Sequence, residues 1–119
     1  MAEGSNAWHL IAVVNEPLEE TLRFASWYLD LGARSLILLF DNPDDPAIPV
    51  LSPHPAITCI PCTSGFWRSI GIAARARFPK RQIRALTWAY RQIASGWVLS
   101  VDADEFLFAN GGAGDIRAA

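Results

Sequence analysis

The fold is decided by residues 8–40, WHLIAVVNEPLEETLRFASWYLDLGARSLILLF, in which two apolar runs flank a segment with helical periodicity. The runs at 8–14 and 35–40 read as buried strands. The second is apolar on both faces, which is typical of parallel strands covered by helices on either side. The segment between them places apolar residues on one helix face, at Leu18, Leu22, Ala25 and Leu29. Strand, helix and strand in this order predict a parallel β-α-β unit.

Residues at both ends of this helix carry boundary signals. Asn15 is predicted to cap the helix, and Pro17 suits its first turn because the missing amide proton is not needed there. Gly32 is predicted to end the helix, since glycine tolerates the backbone conformation that follows a last turn.

The rest of the chain predicts a second set of similar elements. Residues 41–55 hold five of the eight prolines, which predicts a loop with at most one short helical turn. Beyond it we predict, in order, a weak strand at 56–60, an irregular segment at 63–79, a helix at 81–94 and a strand at 97–101. The apolar stripe of the last helix is predicted to be Ile83, Leu86, Tyr90 and Ile93.

These elements predict one α/β domain of three layers, with a Rossmann-like, largely parallel sheet of four strands. The 119 residues suit a single domain, and 51% hydrophobic residues suffice for a core. The net charge of −2 gives no global case for nucleic acid or an anionic membrane. No apolar run is long enough for a transmembrane helix, and the N-terminus lacks the pattern of a secretory signal, so a cytoplasmic location is expected.

Two local features remain open at this level. Seven of the ten basic residues lie between 68 and 91 with no acidic residue among them, which suits phosphate groups or, alternatively, a solvated helix face. Cys59 and Cys62 form a C-x-x-C pair. We expect buried, inert thiols, with half a zinc site or a redox pair as alternatives.

Polar residues follow three of the four predicted strands. They are Asn15 and Glu16 after the first, Asp41 and Asn42 after the second, and Asp102, Asp104 and Glu105 after the fourth. Parallel strands end at one edge of the sheet, where ligands of open α/β folds bind. Residues two apart in extended chain point the same way, so Asp102 and Asp104 are expected to face one spot.

Two carboxylates facing one spot can share a proton or hold a divalent cation. Magnesium or manganese commonly takes one or two carboxylates and completes its shell with water and substrate phosphates. The alternative without a binding role is a polar turn whose acidic side chains are solvated.

Two segments resemble the family 2 glycosyltransferases, which have a GT-A fold: VVNEPLEETLRFASWYLDLGARSLILLFDN at 13–42 and QIRALTWAYRQIASGWVLSVDADEFLF at 82–108. The similarity spans residues 8–108 and is closest to a branch with a D-A-D-E-F block. It implies that Asp104 binds Mn²⁺ or Mg²⁺ on the diphosphate of a nucleotide sugar. Asp102 would share that cation or approach the ribose or sugar.

The resemblance also implies further contacts to the nucleotide sugar. Asn15 and Glu16 would line the nucleotide pocket, Asp41 would bind the base, and Gln82 and Arg84 would border the nucleotide. The implied reaction is an inverting sugar transfer to the hydroxyl of a glycan or other acceptor.

The general base of that reaction comes from a later part of such enzymes, so none is identified in this chain. A GT-A domain is about twice as long. The chain is therefore expected to be a truncated, nucleotide-binding half with a flexible tail at 109–119. It departs from the family at Pro43-Asp44-Asp45-Pro46, where Gly-Ser-x-Asp often stands, and at Val14, where Lys is usual.

Other functions remain open on sequence grounds. One is a non-catalytic nucleotide-binding or structural fragment, and another is a haloacid-dehalogenase-like phosphatase with Asp102 as nucleophile. Trp67 could stack on a base or sugar, although packing in the core is the plainer interpretation. A half-domain would expose apolar surface, so a homodimer is also expected.

Overall fold

Four parallel strands form a single sheet in a computed structural model that describes residues 7–107. The strands are β1 (Trp8–Val14), β2 (Ser35–Phe40), β3 (Ile57–Pro61) and β4 (Trp97–Ser100), and their order across the sheet is β3-β2-β1-β4. Every neighbouring pair is parallel. The α/β class and the parallel four-stranded sheet predicted from the sequence are thus confirmed.

Helices cover both faces of the sheet. They are α1 (Leu18–Asp30), α2 (Ala47–Leu51), α3 (Ser64–Ser69) and α4 (Phe78–Arg91). Leu10 and Ala12 of β1 share a core with residues of α1 and α2, whereas Ile11 and Val13 share a second core with residues of α3 and α4. Because successive strand residues point to opposite faces, the apolar runs of β1 and β2 supply both cores.

Helix α1 begins later than the sequence predicts. Asn15 is not its cap: the helix begins after Pro17, without any capping hydrogen bond from a side chain. The Thr21 hydroxyl instead donates to the backbone oxygens of Pro17, at 3.2 Å, and Glu16, at 3.3 Å. Gly32 ends the helix as predicted, with a φ of 112° in the left-handed region that glycine favours.

The buried stripe of α1 lies beside the predicted one. Its buried side chains are Thr21, Phe24, Ala25 and Tyr28. The three leucines of the predicted stripe are only partly buried against the same core. The helix is rotated so that the two aromatic rings, which offer more area for burial, face the sheet.

The predicted apolar stripe of α4 is wrong at two of its four positions. Ile83 is 65% exposed and Tyr90 is 60% exposed, while Ala85 and Ala89 are fully buried against the sheet. Small side chains at the contact allow a helix to approach closely, so the alanines form the packing face.

Both cysteines are free thiols, Cys59 half-buried and Cys62 buried. Burial raises the pKa of the Cys62 thiol to about 12, with a smaller contribution from Asp41. A thiol with so high a pKa carries almost no thiolate at neutral pH, in keeping with the inert thiols expected from the sequence.

The flexible tail predicted at 109–119 lies outside the described residues. Within 7–107, no helix is both long enough and apolar enough to cross a bilayer.

The packing face of α4 can be tested by mutation. Ala89→Leu inserts extra carbons into the close contact with the sheet and should lower the free energy of unfolding by about 1–3 kcal/mol. Ile83→Ala removes a mostly exposed side chain and should change it by less than about 0.5 kcal/mol. Urea denaturation followed by circular dichroism measures both, and the reverse ranking would contradict the placement of these residues.

Candidate functional site

A cavity of about 300 Å³ opens at the carboxyl edge of the sheet, between the end of β1, the start of α4 and the loop after β4. Five predicted site residues lie along its wall: Asn15, Glu16, Gln82, Asp102 and Asp104. Val13, Phe78 and Ala103 complete the lining. Because the strands are parallel, residues far apart in sequence meet here.

Asp102 and Asp104 face the same cavity. Ala103 between them is only 5% exposed and belongs to the core under α1, whereas both flanking aspartates are exposed. The chain is not extended here as the prediction assumed, because residues 102–105 form a turn closed by the Glu105 N–H and the Asp102 carbonyl. Both aspartates nevertheless line the cavity, with the buried alanine between them. They lie at the same edge as Glu16.

The third carboxylate of the cluster has a different task. Glu105 Oε1 accepts a hydrogen bond from the Asp102 backbone N–H at 2.8 Å, and the Glu105 backbone N–H donates to the Asp102 carbonyl at 2.9 Å. Glu105 thus closes the turn through two hydrogen bonds to the backbone of Asp102. A charge-assisted bond of this kind is stronger than one between neutral groups.

Aromatic residues of α1 hold the loop from behind. The Tyr28 hydroxyl donates to the Glu105 carbonyl at 2.8 Å and accepts from the Leu107 N–H at 3.1 Å. The Phe106 ring makes edge-to-face contacts with Phe24 and Trp27, at centroid distances of 6.1 and 5.6 Å. Sequence reasoning missed these supports. The closely spaced aromatic residues of α1 were the available signal.

Asp41 lies at this edge but outside the cavity lining. Its backbone N–H donates to the Val14 carbonyl at 3.1 Å, and its carboxylate accepts two bonds from Arg81 Nη2, at 2.9 and 3.2 Å. The Arg81 guanidinium also stands over the rings of Trp67 and Phe78, with centroid distances of 5.6 and 5.5 Å. Asp41 is therefore engaged within the protein rather than turned toward the cavity.

The structure also separates Arg84 and Trp67 from the cavity. Arg84 lines a different depression, and its Nη1 donates to the Ile70 carbonyl at 3.3 Å. Trp67 is 3% exposed and packs in the core, which fits the packing interpretation rather than a stacking platform. Of the seven predicted site residues, five meet in one place, while Asp41 and Arg84 lie elsewhere.

The donor set of the cavity fits a hard divalent cation. Asp102 and Asp104 offer carboxylate oxygens, the ligands that magnesium and manganese prefer, and leave coordination positions for water and phosphate. Among residues 7–107, no three His, Cys, Asp or Glu side chains lie close enough together to hold a metal by themselves.

Removing the Tyr28 hydroxyl tests how the loop is held. Tyr28→Phe loses two hydrogen bonds to the loop backbone, so we expect the stability to fall by about 1–2 kcal/mol. Amide exchange at Asp102 and Leu107 should accelerate by more than exchange in β1. Tyr90→Phe, at the exposed tyrosine of α4, is the matched control. Equal exchange rates in Tyr28→Phe and wild type would show that the loop is held by other contacts.

Comparisons with known proteins add no family to this geometry. No family model matches the chain, and neither a curated protein nor a solved structure does. The resemblance to family 2 glycosyltransferases accordingly stays a prediction from the sequence motifs.

Proposed function

We propose that this chain binds a nucleotide-diphosphate sugar through Mn²⁺ or Mg²⁺, as the donor-binding part of an inverting glycosyltransferase. One observation carries the proposal: Asp102 and Asp104 lie with Asn15, Glu16 and Gln82 along one cavity at the carboxyl edge of a parallel sheet. The motif that suggests the family and the place where α/β folds bind ligands thus coincide.

Four of these five residues receive a specific role from their chemistry. Asp104 and Asp102 hold the cation with their carboxylates. Asn15 and Gln82 present side-chain amides, which both donate and accept hydrogen bonds and so suit ribose hydroxyls and phosphate oxygens. The cavity volume lies at the lower end of the range for small-molecule sites, which suits the diphosphate and ribose portion of a larger ligand.

The proposed reaction concentrates charge where these residues are. Breaking the bond between sugar and diphosphate would build negative charge on the leaving oxygen, and a divalent cation held by Asp102 and Asp104 would supply electrostatic stabilisation of that charge. The two aspartates fix the cation, and the loop contacts of Glu105 and Tyr28 hold the aspartates in place.

We assign no general base within this chain. The acceptor hydroxyl, a cytoplasmic location and a homodimer stay predictions of the sequence.

Removing one cation ligand tests the proposal. Loss of a residue that only orients a metal ligand typically costs about 10–100-fold in affinity, so Asp104→Asn should weaken metal-dependent nucleotide binding by at least that factor. Isothermal titration with UDP-, GDP- and CMP-sugars, with manganese and then with chelator, measures the effect. Asp30→Asn, on the exposed end of α1, is the matched control and should bind as wild type does.

The same titrations separate the alternatives. Binding heat that survives chelation, or that Asp104→Asn leaves unchanged, would falsify the metal-dependent site. Release of free nucleotide during incubation would show turnover, whereas tight binding without release would favour a non-catalytic module. Transfer of phosphate to Asp102 from a phosphomonoester would favour the phosphatase.

A further inference from the structure

The outward face of α4 combines exposed cations with exposed apolar side chains. Lys80, Arg84 and Arg91 are all exposed, and Ile83 and Tyr90 are 65% and 60% exposed. We call these five residues the α4 outer face. Ile83 and Tyr90 are seven residues apart, or two helical turns, and therefore lie on one side of the helix. The opposite side carries the buried Ala85 and Ala89.

The positive charge of this face has no compensation within its own helix. Helix α4 contains no acidic residue, and none occurs anywhere between 46 and 101. Pairs of opposite charge four residues apart, which neutralise many surface helices, are consequently impossible here. The face thus presents a field of one sign, although the whole chain has a net charge of −2.

Ile83 stands between two surface depressions. One, of about 640 Å³, is also lined by Arg84, Trp88 and Arg91, and the other, of about 490 Å³, by Arg77, Pro79 and Lys80. Ile83 is therefore an exposed apolar side chain with a depression and basic residues on either side. The fold does not need this side chain for its core, because the alanines fill the contact with the sheet.

We propose that the α4 outer face docks on an anionic phospholipid bilayer. Ile83 and Tyr90 would enter the headgroup region, and the cations would meet lipid phosphates. The 14 residues of α4 span about 21 Å, and its cations occur from Lys80 to Arg91. A flat, extended anionic surface can meet all of them at once. The tyrosine ring, apolar with a polar tip, suits the boundary between headgroups and acyl chains.

A bilayer fits these observations better than an acidic protein. The apolar side chains project from a convex helix rather than line a closed groove, so a protein partner would need matching pockets, whereas lipids rearrange around them. This inference does not depend on the proposed function. It has one consequence for the cavity: α4 also supplies Phe78 and Gln82 to its lining, so docking would hold that cavity close to the membrane surface.

Co-sedimentation with vesicles tests the inference. The chain should bind phosphatidylcholine vesicles that contain phosphatidylglycerol and bind pure phosphatidylcholine at least about tenfold more weakly. A basic residue near an anionic surface contributes a factor of about five, so the triple variant Lys80→Gln, Arg84→Gln, Arg91→Gln should lose about 100-fold. Ile83→Ser with Tyr90→Ser should lose about tenfold or more.

Matched controls come from the other side of the sheet. Arg23→Gln on α1 removes an exposed cation, and Val50→Ser on α2 removes a side chain that is 53% exposed. Both should bind vesicles within about twofold of wild type, because neither residue lies on α4. Circular dichroism confirms that each variant is folded.

Several results would overturn the proposal. Equal binding to neutral and anionic vesicles would contradict it, and so would a loss of vesicle binding in the control variants. Tighter binding to an acidic peptide such as polyglutamate would assign the face to a protein. A dimer that the Ile83→Ser, Tyr90→Ser variant converts to a monomer would assign it to a second copy. Release of bound protein by inorganic phosphate at constant ionic strength would point to a free anion instead.

Discussion

The two central strands are buried on both faces, and this constraint determines where polar chemistry can occur. Buried polar groups without partners are costly, so β1 and β2 carry almost only apolar side chains, and the chain turns polar where they end. Because all four strands run in parallel, those ends lie at one edge. The cavity lined by Asn15, Glu16, Asp102 and Asp104 follows from this arrangement.

The crowding of three carboxylates after β4 also has a physical explanation. Burial of Ala103 separates the cluster into two outward aspartates and a third acid that turns back onto the loop. Glu105 is not part of the cavity lining, and its carboxylate accepts a hydrogen bond from the Asp102 backbone amide. The motif therefore contributes two carboxylates to the cavity, beside that of Glu16, and a divalent cation would offset much of the repulsion among them.

Strand positions could be predicted from sequence because apolar runs of this length on both faces have few alternatives. The packing face of α4 could not be predicted in this way, because periodicity counts apolar residues and ignores their size. Ala85 and Ala89 pack on the sheet because small side chains allow close approach, whereas the larger Ile83 and Tyr90 face outward. Four of the five predicted site residues that meet do so because strand ends determine their place, while α4 supplies the fifth, Gln82. The pairing of Asp41 with Arg81 joins residues 40 apart in sequence, and no local pattern reveals such a contact.

The tie between Tyr28 and Leu107 spans 79 residues of chain, and it acts on a loop behind the shortest strand of the sheet. We expect contacts that close so long a stretch to form late in folding, because the chain entropy must be lost before they are gained. The same contacts can open in a local fluctuation while β1 to β3 remain paired. We therefore expect the loop at residues 101–107 to open separately from the sheet. A ligand that occupies the cavity and binds only the closed loop would then slow amide exchange in this loop before it slows exchange in the sheet.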